Sequence, residues 1–252
     1  MLINRLKVNT GKTDAILFYP PRLTNVVASS GISVKINGHQ ITIKKQIESL
    51  GVFLDCNLKM ERQVNNVAKR SYFHLRRITK VRNRLNKKIT QTLVNTFVSS
   101  RLDFCNSLLC SLPKKTTKKL QKVQNAAAKA VTLANRREHV TPILRELHWL
   151  PIRYRSEYKV LLLTYRILNN ISSESLSSLI HRYEPRRALR SANENYLSRP
   201  SIPKNKYGQR AMSNLAPFLW NSIPSAVRKA ASVDQFKTML KTHFYIEHFG
   251  SS

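Results

Sequence analysis

The chain is short of acidic residues, and this shortage sets the first limits on its function. Its 252 residues include 13 Asp and Glu against 44 Lys and Arg, a formal net charge of +31 at pH 7. Like charges repel one another in a compact state, and a polyanionic partner relieves that repulsion. The imbalance therefore favours nucleic acid as the partner, with an anionic membrane surface as the second choice.

The few acidic residues are also scattered. No two of them are adjacent, and none is spaced from a histidine in a way that indicates an acid–base or metal site. Two-metal nucleotidyl transfer needs a pair of carboxylates to hold the ions. Thr10-Gly11-Lys12-Thr13 resembles only the tail of a phosphate-binding loop, because the first glycine is missing. We predict no catalytic residue, no metal site and no bound small-molecule substrate in this chain.

Cysteine, glycine and long apolar runs are scarce as well. The three cysteines Cys56, Cys105 and Cys110 leave one unpaired in any disulfide scheme, which favours a reducing, intracellular compartment. Cys105 and Cys110 are interpreted as buried helix thiols and not as zinc ligands. The small number of glycines, 6 in the whole sequence, disfavours a mainly β fold. No run reaches the ~20 apolar residues of a bilayer span, and the N-terminal residues lack the apolar stretch of a secretory signal.

Short strands are predicted for residues 1–55. Asp14–Tyr19 is an apolar run that two prolines close. Ser33–Ile36 and Gln40–Ile43 flank an Asn-Gly pair, which predicts a hairpin. Ile47–Asp55 is predicted as one further strand in which Gly51 is a bulge or a close backbone approach.

From residue 61 the apolar period becomes helical, and a first helix is predicted over 61–84. Its buried stripe consists of Val64, Val67, Ala68, Ser71, Leu75 and Ile78. A basic face that contains an aromatic residue suits a phosphate backbone and a stacked base, although a solvated face explains the same pattern. The residues of this face are Arg62, Lys69, Phe73, Arg76, Arg77, Lys80 and Arg84.

Two more helices complete the most basic stretch, residues 61–135, which has 17 basic and 2 acidic residues. The first begins at the N-cap Asn86 and extends to about Cys110. Its predicted buried residues are Ile89, Leu93, Phe97, Val98, Cys105, Leu108 and Leu109. The second, over 115–134, has an apolar arc formed by Leu120, Val123, Ala127, Ala130, Val131 and Ala134. Its other side presents a set of lysines to a polyanion: Lys115, Lys118, Lys119, Lys122 and Lys129.

Residues 136–252 are predicted to be mostly helical. Thr141-Pro142 marks a short helix, which a longer one follows to about Leu168. Ser172 and Ser173 can cap another helix. Further helices are predicted at 207–220 and 224–230, and a capping box at Ser232 opens the last one. The sequence thus predicts an α+β, mainly α fold in three parts: a small antiparallel sheet (1–58), a helical bundle (59–135) and a helical extension (136–252) with a Pro/Arg-rich loop at 185–206.

Several blocks of the sequence resemble one family, in order along nearly the whole chain. The blocks are Leu6–Asp14, Ser49–Asp55, Phe97–Asn106 with Leu112-Pro113, Leu120–Ala128, Leu147–Pro151 and Ala216–Pro224. They resemble the end of the palm, and the regions beyond it, of a LINE-type (non-LTR) retrotransposon reverse transcriptase. The jockey-like and chicken-repeat branches are the most similar.

The resemblance implies roles for particular residues. Lys12 would be the lysine near the incoming nucleotide, and Leu50, Gly51 and Val52 would belong to the primer grip. The helices of 61–134 would be the thumb that grips template–primer. The family's catalytic aspartates, which need Mg²⁺, would lie upstream of Met1, whereas Asp55 and Asp103 match non-catalytic positions.

Three hypotheses follow from the resemblance. The chain is an inactive fragment that still binds RNA, DNA or RNA–DNA hybrid; it is part of an active RNA-directed DNA polymerase whose palm is encoded upstream; or it is a decayed element without selected function. The first is preferred, with sequence-independent binding through phosphate contacts.

Overall fold

A computed structural model describes residues 9–36, 38–185, 194–201 and 208–250 of the chain. The structure is 61% helical and contains two small antiparallel two-stranded sheets, which confirms the predicted α+β, mainly α class. It divides into two compact units, Met1–Asn66 and Val67–Ser252. The separation of a helical bundle from a helical extension at residue 135 stays a prediction.

The first unit consists of short elements. A 3₁₀ turn at Thr10–Lys12 and another at Pro21–Leu23 precede a short helix. The helix and strands are α1 (Thr24–Ser29), β1 (Val34–Ile36), β2 (His39–Ile41), β3 (Gln46–Ser49) and β4 (Val52–Asp55).

The predicted hairpin around the Asn-Gly pair is confirmed. β1 pairs with β2 in an antiparallel register in which Val34 faces Ile41 and Ile36 faces His39. Two residues therefore connect the strands, and Gly38 has a φ of +81°. Such a turn requires positive φ, which glycine adopts without a steric penalty. Asn37, the other turn residue, lies outside the described residues.

Two other strand predictions were wrong. Ile47–Asp55 is not one strand, because Leu50 (φ 49°) and Gly51 (φ 79°) form a two-residue turn between β3 and β4. The glycine reverses the chain instead of forming a bulge. The Asp14–Tyr19 segment is not a strand either. Its only ladder contact among the described residues is an isolated bridge between Ala15 and Ile43, and no second strand runs beside it.

The second unit is helical and begins within α2 (Glu61–Val81), which spans the division. A long helical run follows, formed by α3 (Lys87–Val94), a π-helical turn (Asn95–Ser99) and α4 (Ser100–Asp103). The remaining helices are α5 (Lys114–Thr132), α6 (Val140–Glu146), α7 (Ile152–Leu168), α8 (Glu174–Ser177), α9 (Met212–Ser222), α10 (Ser225–Arg228) and α11 (Val233–Phe249). Short 3₁₀ turns occur at Arg82–Arg84, Asn106–Leu109 and Gly208–Arg210.

The π-helical turn changes which side of the α3–α4 run is buried. The Asn86 side chain accepts a hydrogen bond from the Ile89 amide (2.8 Å), as predicted for an N-cap. A π turn contains about one residue more than an α turn and shifts the phase of the helix. The side chains that the run buries are Thr90, Val94, Val98 and Leu102.

Four residues that we predicted to be buried in this run are exposed: Ile89, Phe97, Cys105 and Leu108. The run ends at Asp103 and not at Cys110, because Phe104 is extended (ψ 117°) and Cys105 is left-handed (φ 50°), so Cys105 and Leu108 lie beyond it. Val98 and Leu109 are buried as predicted.

The main core of the second unit lies among α7, α9 and α11. The ring of Phe236 stacks on Tyr165 (centroids 4.3 Å apart) and on Trp220 (5.8 Å). Ser232 caps α11 as predicted, since its Oγ accepts from the Gln235 amide (3.1 Å), but the full capping box is not formed, because the Gln235 side chain accepts from the Ala231 amide (2.8 Å) and not from that of Ser232. This core fixes α7, against which α4 and α5 pack.

The remaining boundaries differ modestly from prediction. Thr141-Pro142 does not start its helix, because α6 begins at Val140 with His139 as the preceding residue. α7 ends at Leu168 as predicted. Within the predicted loop 185–206, residues 186–193 and 202–206 lie outside the described part of the chain, as does Tyr207.

Candidate nucleic-acid interface

The first half of α5 presents lysines on its outer face. Lys115, Lys118, Lys119 and Lys122 are all exposed. The first turn contains no acidic residue, and Pro113 before it provides no side-chain cap. A helix N-terminus carries a partial positive charge that an anion stabilises and a lysine does not. The helix therefore concentrates positive potential at one end.

Buried side chains hold α5 in place behind those lysines. Leu120, Val123, Ala127 and Val131 are buried as predicted, and α3, α6 and α7 pack against the helix. Two glutamines that the apolar pattern did not indicate add directional contacts. Gln124 donates to the Leu150 carbonyl (2.8 Å), and Gln121 accepts from the Ile152 amide (2.9 Å). These bonds fix both the position and the rotation of α5.

Lys129 has a different role from the other four lysines. Its Nζ donates to the carbonyl oxygens of Arg136 (2.7 Å) and Glu138 (2.6 Å). These two hydrogen bonds hold the loop after α5 in place, and they occupy most of the donor capacity of the ammonium group.

The basic face of α2 is exposed as predicted. Lys69, Arg76, Arg77 and Lys80 lie on it, and Arg84 is exposed in the 3₁₀ turn that follows. None of these side chains forms a salt bridge with the described residues. Their charges are consequently available to a partner.

Arg62, at the beginning of α2, belongs to the first unit. Its Nη1 donates to Gln46 Oε1 (2.9 Å), and its guanidinium lies 4.3 Å from the centre of the Phe53 ring. Arg62 thus ties α2 to the β3–β4 hairpin, and this contact occupies the side chain.

Arg82 is the exception among the arginines near the end of α2, because it is only 6% exposed. Its Nε and Nη2 donate to the carbonyls of Ala130 and Val131, both at 2.7 Å, and Nη1 donates to Leu85 (2.6 Å). One guanidinium therefore caps the last turn of α5 and brings the C-terminal ends of α2 and α5 together.

An aromatic cluster lies beside the basic face of α2, and sequence periodicity missed most of it. The His74 ring stacks on Phe97 (centroids 5.5 Å apart, 15° between planes) and meets Phe73 edge-on (5.3 Å). Arg77 lies 5.5 Å from the centre of the Phe73 ring. Partial burial and the charges of Arg101 and Arg77 lower the pKa of His74.

No sequence signal marked Phe97 or Arg101 as part of this cluster. Helical periodicity placed Phe97 in the core, and only the π-helical turn moves it to the surface. The contact between the His74 ring and Phe97 depends on that displacement, as does the position of Arg101 near His74. The sequence indicated this cluster only through Phe73, an aromatic residue on an otherwise basic face.

Lys12 lies in the first unit, close to residue 9, where the described part of the chain begins. It is exposed and ends a 3₁₀ turn in which its amide donates to the Asn9 carbonyl (3.1 Å). The Asn9 side chain accepts from the Gly11 amide (3.1 Å). The nucleotide-proximal role that the resemblance implies stays a prediction.

The predicted primer-grip residues are the two residues of the β3–β4 turn, Leu50 and Gly51, and the first residue of β4, Val52. Leu50 is 94% exposed, whereas Val52 is buried. A leucine with positive φ and an exposed side chain is unfavourable both conformationally and in hydration. The structure thus places an apolar side chain at the tip of this hairpin.

Asp55 and Asp103, which match non-catalytic positions in the resemblance, both have structural partners. Asp55 accepts from the amides of Asn57 (3.2 Å), Lys59 (2.9 Å) and Met60 (2.7 Å), which fixes the turn into α2. Asp103 forms a salt bridge with Arg155, whose Nε donates to its Oδ1 (2.8 Å). Each carboxylate therefore stabilises the fold.

Neither a metal cluster nor a membrane span is found in the described part of the chain. No three His, Cys, Asp or Glu side chains there are grouped so as to hold an ion. No described helix combines the length and the apolar character that crossing a bilayer requires.

Comparisons with protein-family models, with curated proteins and with solved structures gave no match. The sequence blocks and the basic helices are accordingly the basis for inferring function.

Proposed function

We propose that the chain is a nucleic-acid-binding part of a non-LTR retrotransposon reverse transcriptase and that α2 and α5 grip the phosphate backbone. The partner is RNA, DNA or an RNA–DNA hybrid. The lysines of α5 carry the proposal: Lys115, Lys118, Lys119 and Lys122 are exposed on a helix whose rotation is fixed and whose first turn lacks an acid. In the resemblance, α2 to α5 would correspond to the thumb.

The proposed contacts are with phosphates and carry no sequence information. Lysine is a flexible point charge, and contacts of this kind position a protein on a backbone without reading bases. Binding is therefore expected to depend strongly on salt and weakly on sequence.

Catalysis is not assigned to this chain. Asp55 and Asp103 already hold backbone amides and Arg155, so neither is free to bind the two ions of nucleotidyl transfer. In the resemblance, a polymerase would need its catalytic aspartates from another part of the enzyme.

A salt titration tests the proposal directly. If about five basic side chains contact phosphates, the log–log slope of affinity against salt for a duplex is expected near −4 to −5. RNA–DNA hybrid, duplex DNA and duplex RNA of equal length are compared by fluorescence anisotropy. A slope near zero for all three would refute the proposal.

A matched pair of variants locates the contacts. The α5 variant changes Lys115, Lys118, Lys119 and Lys122 to Gln, and its slope is expected to become shallower by about 3 to 4. The control changes Arg145, Lys159, Arg166 and Lys241 to Gln, which removes the same number of charges from exposed positions on α6, α7 and α11. If both variants lose affinity equally, the net charge and not the α5 face is responsible.

A further inference from the structure

The Phe73–His74–Phe97 cluster is an unusual surface feature. Phe73 is 53% and Phe97 43% exposed, although both rings already touch His74. Burying an aromatic ring is favourable, so two adjacent rings that stay half exposed retain unused contact area. This area is open to another planar group.

The surroundings of the cluster are positively charged. Arg77 lies 5.5 Å from the centre of the Phe73 ring, and Arg77 and Arg101 both act electrostatically on His74. Between residues 62 and 132 the only acidic residue is Asp103, and Arg155 pairs with it. A ligand for these rings therefore combines a planar apolar group with negative charge nearby.

Resting on the proposed function, we propose that Phe73, His74 and Phe97 form a stacking platform for an unpaired base. The chain would thus bind single-stranded segments of nucleic acid through this platform and not only through phosphates. Aromatic side chains next to cationic ones are the usual means by which proteins hold single strands, because every base has a π face.

Single strands fit the cluster better than duplexes do. The bases of a duplex are stacked on one another, whereas an unpaired base can leave its neighbours and stack on a side chain. The π-helical turn supports this assignment, because such turns often occur at functional sites and this one moves Phe97 out of the core.

Leucine substitutions test the platform while preserving its apolar volume. Phe73→Leu and Phe97→Leu are each expected to weaken binding of a single strand of about 12 nucleotides by about tenfold. Affinity for a duplex is expected to stay within about twofold, and the salt slope is expected to stay unchanged, because no phosphate contact is lost. Phe97→Tyr keeps a ring and is expected to bind single strands normally.

Phe218→Leu is the matched control. Phe218 is 52% exposed on α9, and Arg199 lies over its ring at 5.1 Å, but no second aromatic ring among the described residues contacts it. Its substitution is expected to leave single-strand affinity unchanged. A loss equal to that of the Phe97 variant would refute the platform.

A second measurement uses the unsubstituted chain. Single strands that contain 5-iodouracil are irradiated in the complex, and the crosslinked peptides are identified by mass spectrometry. Crosslinks at Phe73, His74 or Phe97 support the platform, and crosslinks confined to residues outside it refute it.

The remaining outcomes separate this inference from the proposed function. A salt slope near zero on every nucleic acid would defeat the proposed function. A steep slope with Leu variants that bind single strands normally, or that lose single-strand and duplex affinity alike, would defeat only the platform. If Phe97→Leu abolishes self-association of the chain without changing single-strand affinity, the cluster is a protein contact and the platform is wrong.

Discussion

Charged side chains serve different ends in two parts of the second unit. Along α2 and the first half of α5, lysines and arginines are exposed and acids are nearly absent. From residue 140 onward, many charges are paired within the fold. The ion pairs there include Arg153–Glu157, Arg228–Glu194, Lys229–Glu194 and Lys237–Asp234.

The difference teaches that net charge alone does not locate an interface. Both parts are rich in basic residues, but only one presents them without acidic neighbours. Arg82 and Lys129 show that even in the basic part a cation can belong to the fold, because their donors bind backbone carbonyls. The geometry of the donors decides which cations remain for a partner.

The largest expected effect tests whether Arg82 stabilises the fold. Arg82→Met removes three hydrogen bonds and leaves the carbonyls of Leu85, Ala130 and Val131 without this partner, so we expect a loss of about 3 kcal/mol in the free energy of unfolding. Arg84→Met, at an exposed neighbouring position, is the control and is expected to change stability by less than about 0.5 kcal/mol. Chemical denaturation measures both. Equal stabilities would show that Arg82 belongs to the exposed basic set.

Two cysteines only five residues apart, Cys105 on the surface and Cys110 in the core, are expected to differ in thiol reactivity. Cys105 is exposed, whereas burial raises the pKa of Cys110 to about 11 from a usual value of 9.0. At pH 8 the reactive thiolate of Cys110 is therefore about a hundredfold scarcer than that of an ordinary thiol. We expect an alkylating reagent to label Cys105 first, and Cys110 to react appreciably only as the pH approaches its pKa.

Cys105→Ser is the control for the labelling experiment and is expected to remove the fast phase. Rapid labelling of Cys110 in that variant at pH 8 would contradict the burial of its side chain.

An intermediate effect on stability is expected at the contact between α4 and α7. Asp103→Asn breaks the partly buried pair with Arg155 between α4 and α7, and we expect a loss of about 1.5 kcal/mol in the free energy of unfolding. The substitution removes a negative charge, so affinity for nucleic acid is not expected to fall. Asp234→Asn breaks a more exposed pair and is expected to cost less. A greater loss in Asp234→Asn would reverse the comparison.

The smallest effect concerns the tip of the β3–β4 hairpin. Leu50→Asn is expected to stabilise the chain by about 1 kcal/mol, because asparagine tolerates positive φ and leucine does not. Leu50→Ala provides no such relief and serves as the control in thermal unfolding. If Leu50→Asn weakens nucleic-acid binding, the interface extends to the first unit, as the predicted primer-grip role would require.

Helical periodicity predicted α2 and α5 well, because each has one continuous apolar stripe and no irregular turn. The Asn-Gly hairpin and the caps at Asn86 and Ser232 also follow from local residue chemistry. These features depend on contacts within a few residues, which a sequence displays directly.

The remaining features depend on contacts between distant segments or on irregular backbone. The Leu50-Gly51 turn lacks the usual Asn-Gly pattern, so its strands were predicted as one. The roles of Arg82 and Lys129 depend on carbonyls of other segments, which no residue pattern indicates. On the candidate interface, the exposed lysines were predictable, whereas the stacking of His74 on Phe97 was not.

The π-helical turn at Asn95–Ser99 makes the surface sensitive to chain length as well as to residue identity. Because the turn holds one extra residue, deleting Phe97 itself would restore α-helical geometry and leave Val94 and Leu102 close to their present orientations. A deletion from the regular part of α3 or α4 would instead rotate one side of the run by about 100° relative to the other. The aromatic surface thus depends on one inserted residue, so length variation within this helix is as informative as substitution.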